Sequence, residues 1–179
     1  QSMKLERSTR ETRIKVEITP GGGTATVATG VPFLDHMMTT LARYSGLDIA
    51  ITGEGDLRHH LIEDVAIAMG TAFTAILPAT CFRYGDRTVA MDDALVQAVI
   101  DTGGRPYYRG LIPSDLYDHW MRSFAHNAGM TLHLRVLRGK DRHHIVEAAF
   151  KALGFAIRDA LREGGTVFST KGAVALGGS

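Results

Sequence analysis

Two short stretches of the sequence carry residue types suited to metal chemistry. RHHLIED begins at Arg58 and RHHIVEA begins at Arg142, so the pattern His-His-x-x-Glu occurs twice, 84 positions apart. Imidazole and carboxylate groups are common ligands of transition-metal ions. Two histidine pairs, each followed by a glutamate at the same offset, indicate a repeated functional unit.

The geometry of a helix separates the two histidines of each pair. Successive helical residues are rotated by about 100°, so His59, Glu63 and His60 lie at roughly 0°, 40° and 100° on one side of a helix. The two imidazoles diverge too far to hold one ion comfortably. We therefore expect neighbouring histidines to bind two different metal ions.

An Asp-His pair adds one more histidine to each half of the chain, at Asp35-His36 and at Asp118-His119. Divided evenly, the candidates offer three imidazoles and one carboxylate to each of two ions, which leaves an octahedral ion such as Mn²⁺ about two positions for substrate or water. The predicted ligands are His36, His59, His60, Glu63, His119, His143, His144 and Glu147.

A single motif of this kind would have a more ordinary interpretation. One His-His pair is usually a surface accident, and one His-x-x-x-Glu on a helix is often a side-chain hydrogen bond. A closed structural zinc site usually relies on cysteine and four ligands. Two matching motifs with matching Asp-His partners, and without cysteine among them, favour reactive and partly open metal sites.

Composition excludes several classes of protein. Twenty basic and nineteen acidic residues give a net charge of +1, which offers no basic field for nucleic acid. No apolar run approaches the roughly 20 residues of a membrane-spanning helix, and the N-terminus lacks the apolar middle of a signal peptide. The single cysteine, Cys81, forms no internal disulfide. We therefore expect a cytoplasmic protein without membrane or nucleic-acid partners.

The periodicity of the chain predicts the same order of elements twice. Each half is predicted to form a ββαβα unit, over about 10–77 and about 94–163, followed by a tail at 164–179. We expect residues 1–179 to form a single compact domain in which amphipathic helices pack between two sheets. The predicted strands are 10–18, 24–30, 47–52, 94–101, 105–111 and 130–137, and the predicted helices are 33–46, 57–77, 116–129 and 141–163. Asp56 is expected to cap the second helix.

Long motifs in order along the chain resemble the imidazoleglycerol-phosphate dehydratase family of histidine biosynthesis. They are TGVPFLDHM, HHLIEDVAIAMG, FRYG, MDDAL, GGRPYY, TLHLRVLRGKDRHHIVEAAFKALGFAIRDA and STKG. The resemblance implies an α/β (α+β) fold of the ribosomal protein S5 domain 2-like type, with helices packed between two four-stranded sheets. It also implies a hollow homo-oligomer of twenty-four chains with the active sites at subunit interfaces.

The reaction implied by the resemblance is the manganese-dependent loss of water from imidazole glycerol phosphate, giving imidazole acetol phosphate. Such an enzyme is a carbon–oxygen lyase with two Mn²⁺ per active site. By resemblance, one ion takes His36, His60, His143 and Glu147, and the other takes His59, Glu63, His119 and His144.

Proton transfer and substrate binding are likewise assigned by resemblance. Glu11, a carboxylate outside the predicted metal ligands, is expected to transfer protons and to contact the substrate. The predicted catalytic residues are Glu11, Glu63 and Glu147. The predicted phosphate-binding residues are Arg83, Arg105, Lys151, Ser169, Thr170 and Lys171. The sequence departs from the usual family pattern at Thr39-Thr40, Tyr44 and Leu57-Arg58.

Two rival functions remain open at this point. A dinuclear metallohydrolase would activate water for phosphate or amide cleavage, although the HExxH order of zincins is missing. A non-catalytic metal store would use the histidines only to link subunits.

Overall fold

Two mixed, mainly antiparallel sheets pack on either side of four helices in the computed structural model. The structure describes residues 2–164. In the first half, the elements are β1 (Met3–Ser8), β2 (Thr12–Pro20), β3 (Ala25–Ala28), α1 (Pro32–Ser45), β4 (Leu47–Gly55) and α2 (Arg58–Ile76). In the second half, they are β5 (Tyr84–Met91), β6 (Ala94–Asp101), β7 (Tyr107–Arg109), α3 (Asp115–Asn127), β8 (Thr131–Arg138) and α4 (Arg142–Ala160).

The two sheets have the same topology. The strand orders are β1-β2-β4-β3 and β5-β6-β8-β7, and in each sheet the last pair is parallel while the others are antiparallel. Helices α1 and α2 pack on the first sheet and α3 and α4 on the second, while α1 contacts α4 and α2 contacts α3. The predicted fold class, with helices between two four-stranded sheets, is confirmed.

Each unit begins with a strand that the periodicity does not reveal. β1 and β5 precede the predicted ββαβα order and complete the four strands of each sheet. β1 has the sequence MKLERS, and its inward residues are only half-buried because it lies at the edge of its sheet. Charged residues are common on such edge strands. In the sequence alone, this segment therefore resembles a charged terminus.

Alternation along β2 places its apolar side chains in the core. Ile14, Val16 and Ile18 are buried, while Arg13 and Lys15 between them are exposed. This is the two-residue period of a strand with one solvated face. The helices complete the core from the other side, and Trp120, Phe124 and Phe150 are among its fully buried side chains.

Glycines let the helix pairs approach closely. Gly70 of α2 and Gly154 of α4 occupy equivalent positions, 84 residues apart. A Cβ atom on Gly70 would lie 2.7 Å from the carbonyl oxygen of Phe124 in α3. A Cβ atom on Gly154 would lie 2.8 Å from Cβ of Tyr44 in α1. Both helix pairs therefore depend on a missing side chain at the same place in the repeat.

The expected cap of α2 is wrong. The helix begins at Arg58 with Leu57 at the N-cap position, and no side chain caps it. The carboxylate of Asp56 instead accepts a hydrogen bond from the Leu57 N–H at 2.6 Å and contacts His60. In α4, Asp141 does cap the helix by accepting a hydrogen bond from the His144 N–H at 3.1 Å.

None of the helices within residues 2–164 is long and apolar enough to cross a membrane.

Candidate metal centre

The aspartates of the two Asp-His pairs anchor the starts of α1 and α3. Asp35 accepts hydrogen bonds from the N–H and the hydroxyl of Thr29, at 3.0 and 2.5 Å. Asp118 accepts hydrogen bonds from the Tyr108 hydroxyl at 2.6 Å and from the Ile112 N–H at 3.2 Å. Asp35 thus fixes α1 to the preceding loop, and Asp118 fixes α3 to β7 and to the loop after it. The next residue in each case, His36 or His119, is exposed.

Three predicted ligands converge between α1 and α4, and we call them the first cluster: His36, His143 and Glu147. The Nε2 atoms of His36 and His143 lie 3.1 and 3.2 Å from Oε1 of Glu147. One ligand atom from each of the three residues falls within 4.8 Å of the others. Glu147 is buried and both imidazoles reach solvent. Two nitrogen atoms and one carboxylate oxygen therefore surround a point that is open on one side.

The carboxylate of Glu147 is held in its ionised form. Burial raises its pKa, but the hydrogen bond and charge of His36 and the charge of Lys151 outweigh burial, so the pKa lies below its usual value. The Nζ atom of Lys151 is 3.4 Å from Oε2 of Glu147 and 5.5 Å from the ring centroid of Tyr44. Lys151 therefore occupies one carboxylate oxygen while the two histidines contact the other.

A second cluster, Glu63 and His119, lies between α2 and α3. The Nε2 atom of His119 is 2.6 Å from Oε2 of Glu63. The side chains of His119 and Glu63 are 51% and 41% exposed, against 10% for Glu147. The position in α2 equivalent to Lys151 is Ile67, which offers no cation. The imidazoles of both clusters are similarly exposed, so the clusters differ in their carboxylates: that of Glu63 is more exposed and lacks a lysine at the equivalent position.

The second histidine of each pair stands apart from both clusters. Nδ1 of His60 is 3.0 Å from Oδ1 of Asp56, and Nδ1 of His144 is 2.6 Å from Oδ1 of Asp93. The hydrogen bond that each imidazole donates to its aspartate raises the pKa of that histidine, while desolvation lowers it. The ring centroid of His59 is 4.3 Å from that of His60. Five of the eight predicted ligands therefore form two clusters within one chain, and His59, His60 and His144 do not join them.

Glu11 lies in the turn between β1 and β2. Its side chain is exposed and accepts a hydrogen bond from the Thr9 hydroxyl at 3.3 Å. Its charge is among the causes that raise the pKa of His60, and its backbone carbonyl accepts a hydrogen bond from the N–H of Asp56, just before α2, at 2.9 Å. Thr12, at the start of β2, hydrogen-bonds to the buried carboxylate of Asp64 in α2, which fixes this turn to the helix that carries His60.

The predicted phosphate-binding residues are only partly within the described chain. Arg83 has a left-handed backbone with φ of 73° and donates from Nε to Oδ1 of Asp101 at 2.6 Å. Arg105 is exposed in the loop before β7. Lys151 contacts Glu147 of the first cluster. Ser169, Thr170 and Lys171 lie outside residues 2–164.

Sequence reasoning missed Asp56, Asp64 and Asp93 as functional candidates. Asp64 follows Glu63 directly in HHLIED, and Asp93 lies in the MDDAL motif. Their acidic side chains were the only signal in the sequence. That signal is weak, because acidic residues are common in turns and on helix surfaces. Their contacts with Thr12 and His144 are visible only in the folded chain.

Comparison with known proteins gives a consistent result. The family model described as imidazoleglycerol-phosphate dehydratase matches residues 29–157. A protein of that name from Cutibacterium acnes is 43% identical over 95% of this chain and 96% of its own length. Another from Pyrobaculum calidifontis is 44% identical over 95% of this chain and 98% of its own length.

Solved structures with the same name have the same fold. The crystal structure of the protein from Pyrococcus furiosus matches with a TM-score of 0.85 and 41% identity, covering 94% of this chain and 99% of that one. The crystal structure from Staphylococcus aureus matches with a TM-score of 0.82 and 29% identity, covering 92% of this chain and 100% of that one.

Proposed function

This chain belongs to the imidazoleglycerol-phosphate dehydratase family, and we propose that it catalyses the manganese-dependent dehydration of imidazole glycerol phosphate to imidazole acetol phosphate. This reaction is a step of L-histidine biosynthesis, and we place the enzyme in the cytoplasm. The first cluster is the single observation that carries the proposal. Its three ligand atoms lie within 4.8 Å of one another in a chain of this family.

The residues of the two clusters fit a transition-metal ion such as Mn²⁺. Both consist of imidazole nitrogen and carboxylate oxygen, a ligand set that suits Mn²⁺, Fe²⁺ and Zn²⁺. The buried, ionised carboxylate of Glu147 would be costly to keep away from water without strong partners. Two bound ions would act as Lewis acids and as a template for the imidazole ring of the substrate.

We propose that second copies of the chain complete both metal sites. Each cluster contains residues of both repeats, since α1 contacts α4 and α2 contacts α3. His60 is the ligand that the first cluster lacks, and His59 and His144 are those that the second lacks. The diverging side chains of each His-His pair support this division, because they face two different ions. An assembly of twenty-four chains would bring these groups together.

Proton transfer is the proposed task of Glu11, because this exposed carboxylate acts electrostatically on His60 and its backbone is bonded to Asp56 at the start of α2. A carboxylate near a metal ligand is placed to remove and return protons of the substrate. The bond from Thr12 to Asp64 holds the turn of Glu11 against α2. Arg83 and Arg105, together with Ser169, Thr170 and Lys171, are the proposed phosphate-binding groups, and Lys151 is proposed to contact the substrate beside Glu147.

A turnover assay distinguishes this function from its rivals. Purified protein is stripped of metal, reloaded with Mn²⁺ and given imidazole glycerol phosphate, while ketone product and free phosphate are measured separately. Dehydration predicts ketone without phosphate release, lost on stripping and restored on reloading. Phosphate release would indicate a metallohydrolase, and metal-dependent assembly without turnover would indicate a metal store.

The matched variant is Glu11→Gln. It should bind two ions like the unchanged chain and lose most of its turnover, because proton transfer typically contributes about 10²–10⁴-fold. Full activity of Glu11→Gln would contradict the role proposed for this residue.

A further inference from the structure

Two aspartates outside the predicted ligand set contact the two histidines that stand apart. Oδ1 of Asp93 lies 2.6 Å from Nδ1 of His144, and Oδ1 of Asp56 lies 3.0 Å from Nδ1 of His60. His60 and His144 are equivalent residues of the two repeats, 84 positions apart. The aspartates are not equivalent in sequence, because Asp56 precedes α2 whereas Asp93 lies in the turn between β5 and β6. Different parts of the two repeats thus make the same contact.

Asp93 is itself fixed by the backbone at the start of α4. Its Oδ2 atom accepts hydrogen bonds from the N–H groups of Lys140 and Asp141, at 2.7 and 3.0 Å. The carboxylate is therefore oriented, with one oxygen bonded to the backbone and the other to the imidazole.

A carboxylate at Nδ1 determines which ring nitrogen can bind a metal ion. The neutral imidazole places its proton on the nitrogen that faces the carboxylate, so Nε2 keeps its lone pair. Within the described residues, the nearest acidic atom to Nε2 of His144 is Oδ2 of Asp92, at 3.7 Å, which is beyond a hydrogen bond. Nε2 of His144 is therefore free to bind an ion.

We propose that Asp93 and Asp56 are positioning residues that hold Nδ1 of His144 and of His60, so that each chain presents Nε2 of both histidines to metal ions completed by other copies. This proposal rests on the proposed function, since it takes both histidines to be metal ligands. Partner carboxylates of this kind fix the tautomer and the ring orientation of a metal-binding histidine. The two histidines are thus oriented before a second copy arrives.

The substitution Asp93→Asn reverses the preferred tautomer with little change of shape. The amide oxygen is expected to stay with the two backbone N–H groups, which need an acceptor. The amide NH₂ then faces Nδ1 of His144 and donates to it, which moves the imidazole proton to Nε2 and blocks the ligand atom. Asp86→Asn is the matched control, because it makes the same change at an exposed aspartate whose carboxylate accepts a hydrogen bond from Gln97 rather than from a histidine.

The experiment measures Mn²⁺ binding by calorimetry for the unchanged chain, Asp93→Asn, Asp56→Ala and Asp86→Asn. Alanine is used at position 56 because one oxygen of Asp56 serves both the Leu57 N–H and His60, so an asparagine could keep both contacts. We expect Asp93→Asn and Asp56→Ala each to weaken one of the two ions by about 10- to 100-fold, and Asp86→Asn to bind both ions normally. The metal-free thermal midpoint of each variant is measured alongside, so that any loss of folded stability is separated from the loss of metal affinity. Two ions bound with full affinity by Asp93→Asn would overturn the proposal.

Nitrogen NMR of the unchanged, metal-free chain gives an independent readout that needs no variant. In its neutral form, the ring of His144 should carry the proton on Nδ1, and a proton on Nε2 would overturn the proposal even if Asp93→Asn fails to fold. A chain that binds two ions but does not dehydrate imidazole glycerol phosphate would refute the proposed function and leave the comparison of affinities valid. A chain that binds no divalent ion would overturn both.

Discussion

The substitution Gly154→Ala tests whether close helix packing positions the first cluster. A Cβ atom at this position would lie 2.8 Å from Cβ of Tyr44 and 3.1 Å from the backbone nitrogen of Ser45, both in α1. Helix propensity alone favours alanine over glycine by about 1 kcal/mol. Overpacking against backbone typically costs about 1–3 kcal/mol. We expect the clash to exceed the gain in propensity, because these neighbouring atoms are backbone and Cβ atoms rather than flexible side-chain ends.

The expected net loss in the free energy of unfolding is up to about 2 kcal/mol, and each kcal/mol lowers the thermal midpoint by about 2–4 °C for a chain of this length. Metal affinity should fall as well, because α1 carries His36, and its displacement lengthens the contact of 3.1 Å between His36 and Glu147. Thermal unfolding of the metal-free protein measures the first effect, and calorimetric Mn²⁺ binding measures the second.

Gly22→Ala is the control, because a Cβ atom there meets nothing within 4 Å. It should leave both the thermal midpoint and the metal affinity nearly unchanged. A higher midpoint for Gly154→Ala, as expected for an exposed helical glycine, would refute the packing argument. Unchanged metal affinity in a destabilised Gly154→Ala would separate helix packing from the metal centre.

Three further changes give expected outcomes. Thr12→Val removes the hydroxyl that donates a hydrogen bond to the buried carboxylate of Asp64 in α2. It should lower the free energy of unfolding in urea by about 1.5–3 kcal/mol, and a loss below about 0.5 kcal/mol would contradict this. Burial, followed by the hydrogen bond to Asp118, raises the pKa of Tyr108 above its usual value of 10.0. The stability that Tyr108 contributes is therefore present below about pH 10 and is lost as pH rises further. Tyr108→Phe should reduce this alkaline fall in the midpoint of urea unfolding, and an unchanged fall would contradict the role of Tyr108. Lys151→Met removes the cation beside Glu147 and should raise Mn²⁺ affinity in calorimetry while lowering turnover; weaker binding would show instead that Lys151 orients the carboxylate.

The sequence predicted local features better than contacts between distant segments. The alternation around Ile14 and Val16 predicted β2, and the two His-His-x-x-Glu motifs predicted helices with ligands on one side. These patterns arise from side-chain directions within one element. The convergence of His36 with Glu147 was predicted only through the resemblance of the whole chain to a family, since 111 residues separate them.

Several features left no periodic signal. β1 is an edge strand, so its buried face is small, and charges dominate its composition. Asp93 contacts His144, although 51 positions separate the two residues in the sequence. In the sequence alone, a single aspartate in a turn cannot be told from the many turn aspartates that contact only solvent. The close approach at Gly154 likewise depends on which helix lies opposite.

The number of metal ions per chain tests the two-cluster arrangement most directly. Mass spectrometry and metal analysis would compare the Mn²⁺-loaded unchanged chain with His36→Ala and His119→Ala, each of which removes one histidine from one cluster. We expect two ions in the unchanged chain and one in each variant, with dehydration of imidazole glycerol phosphate lost in both. Two ions retained in both variants, or a single ion in the unchanged chain, would contradict the two-cluster metal centre.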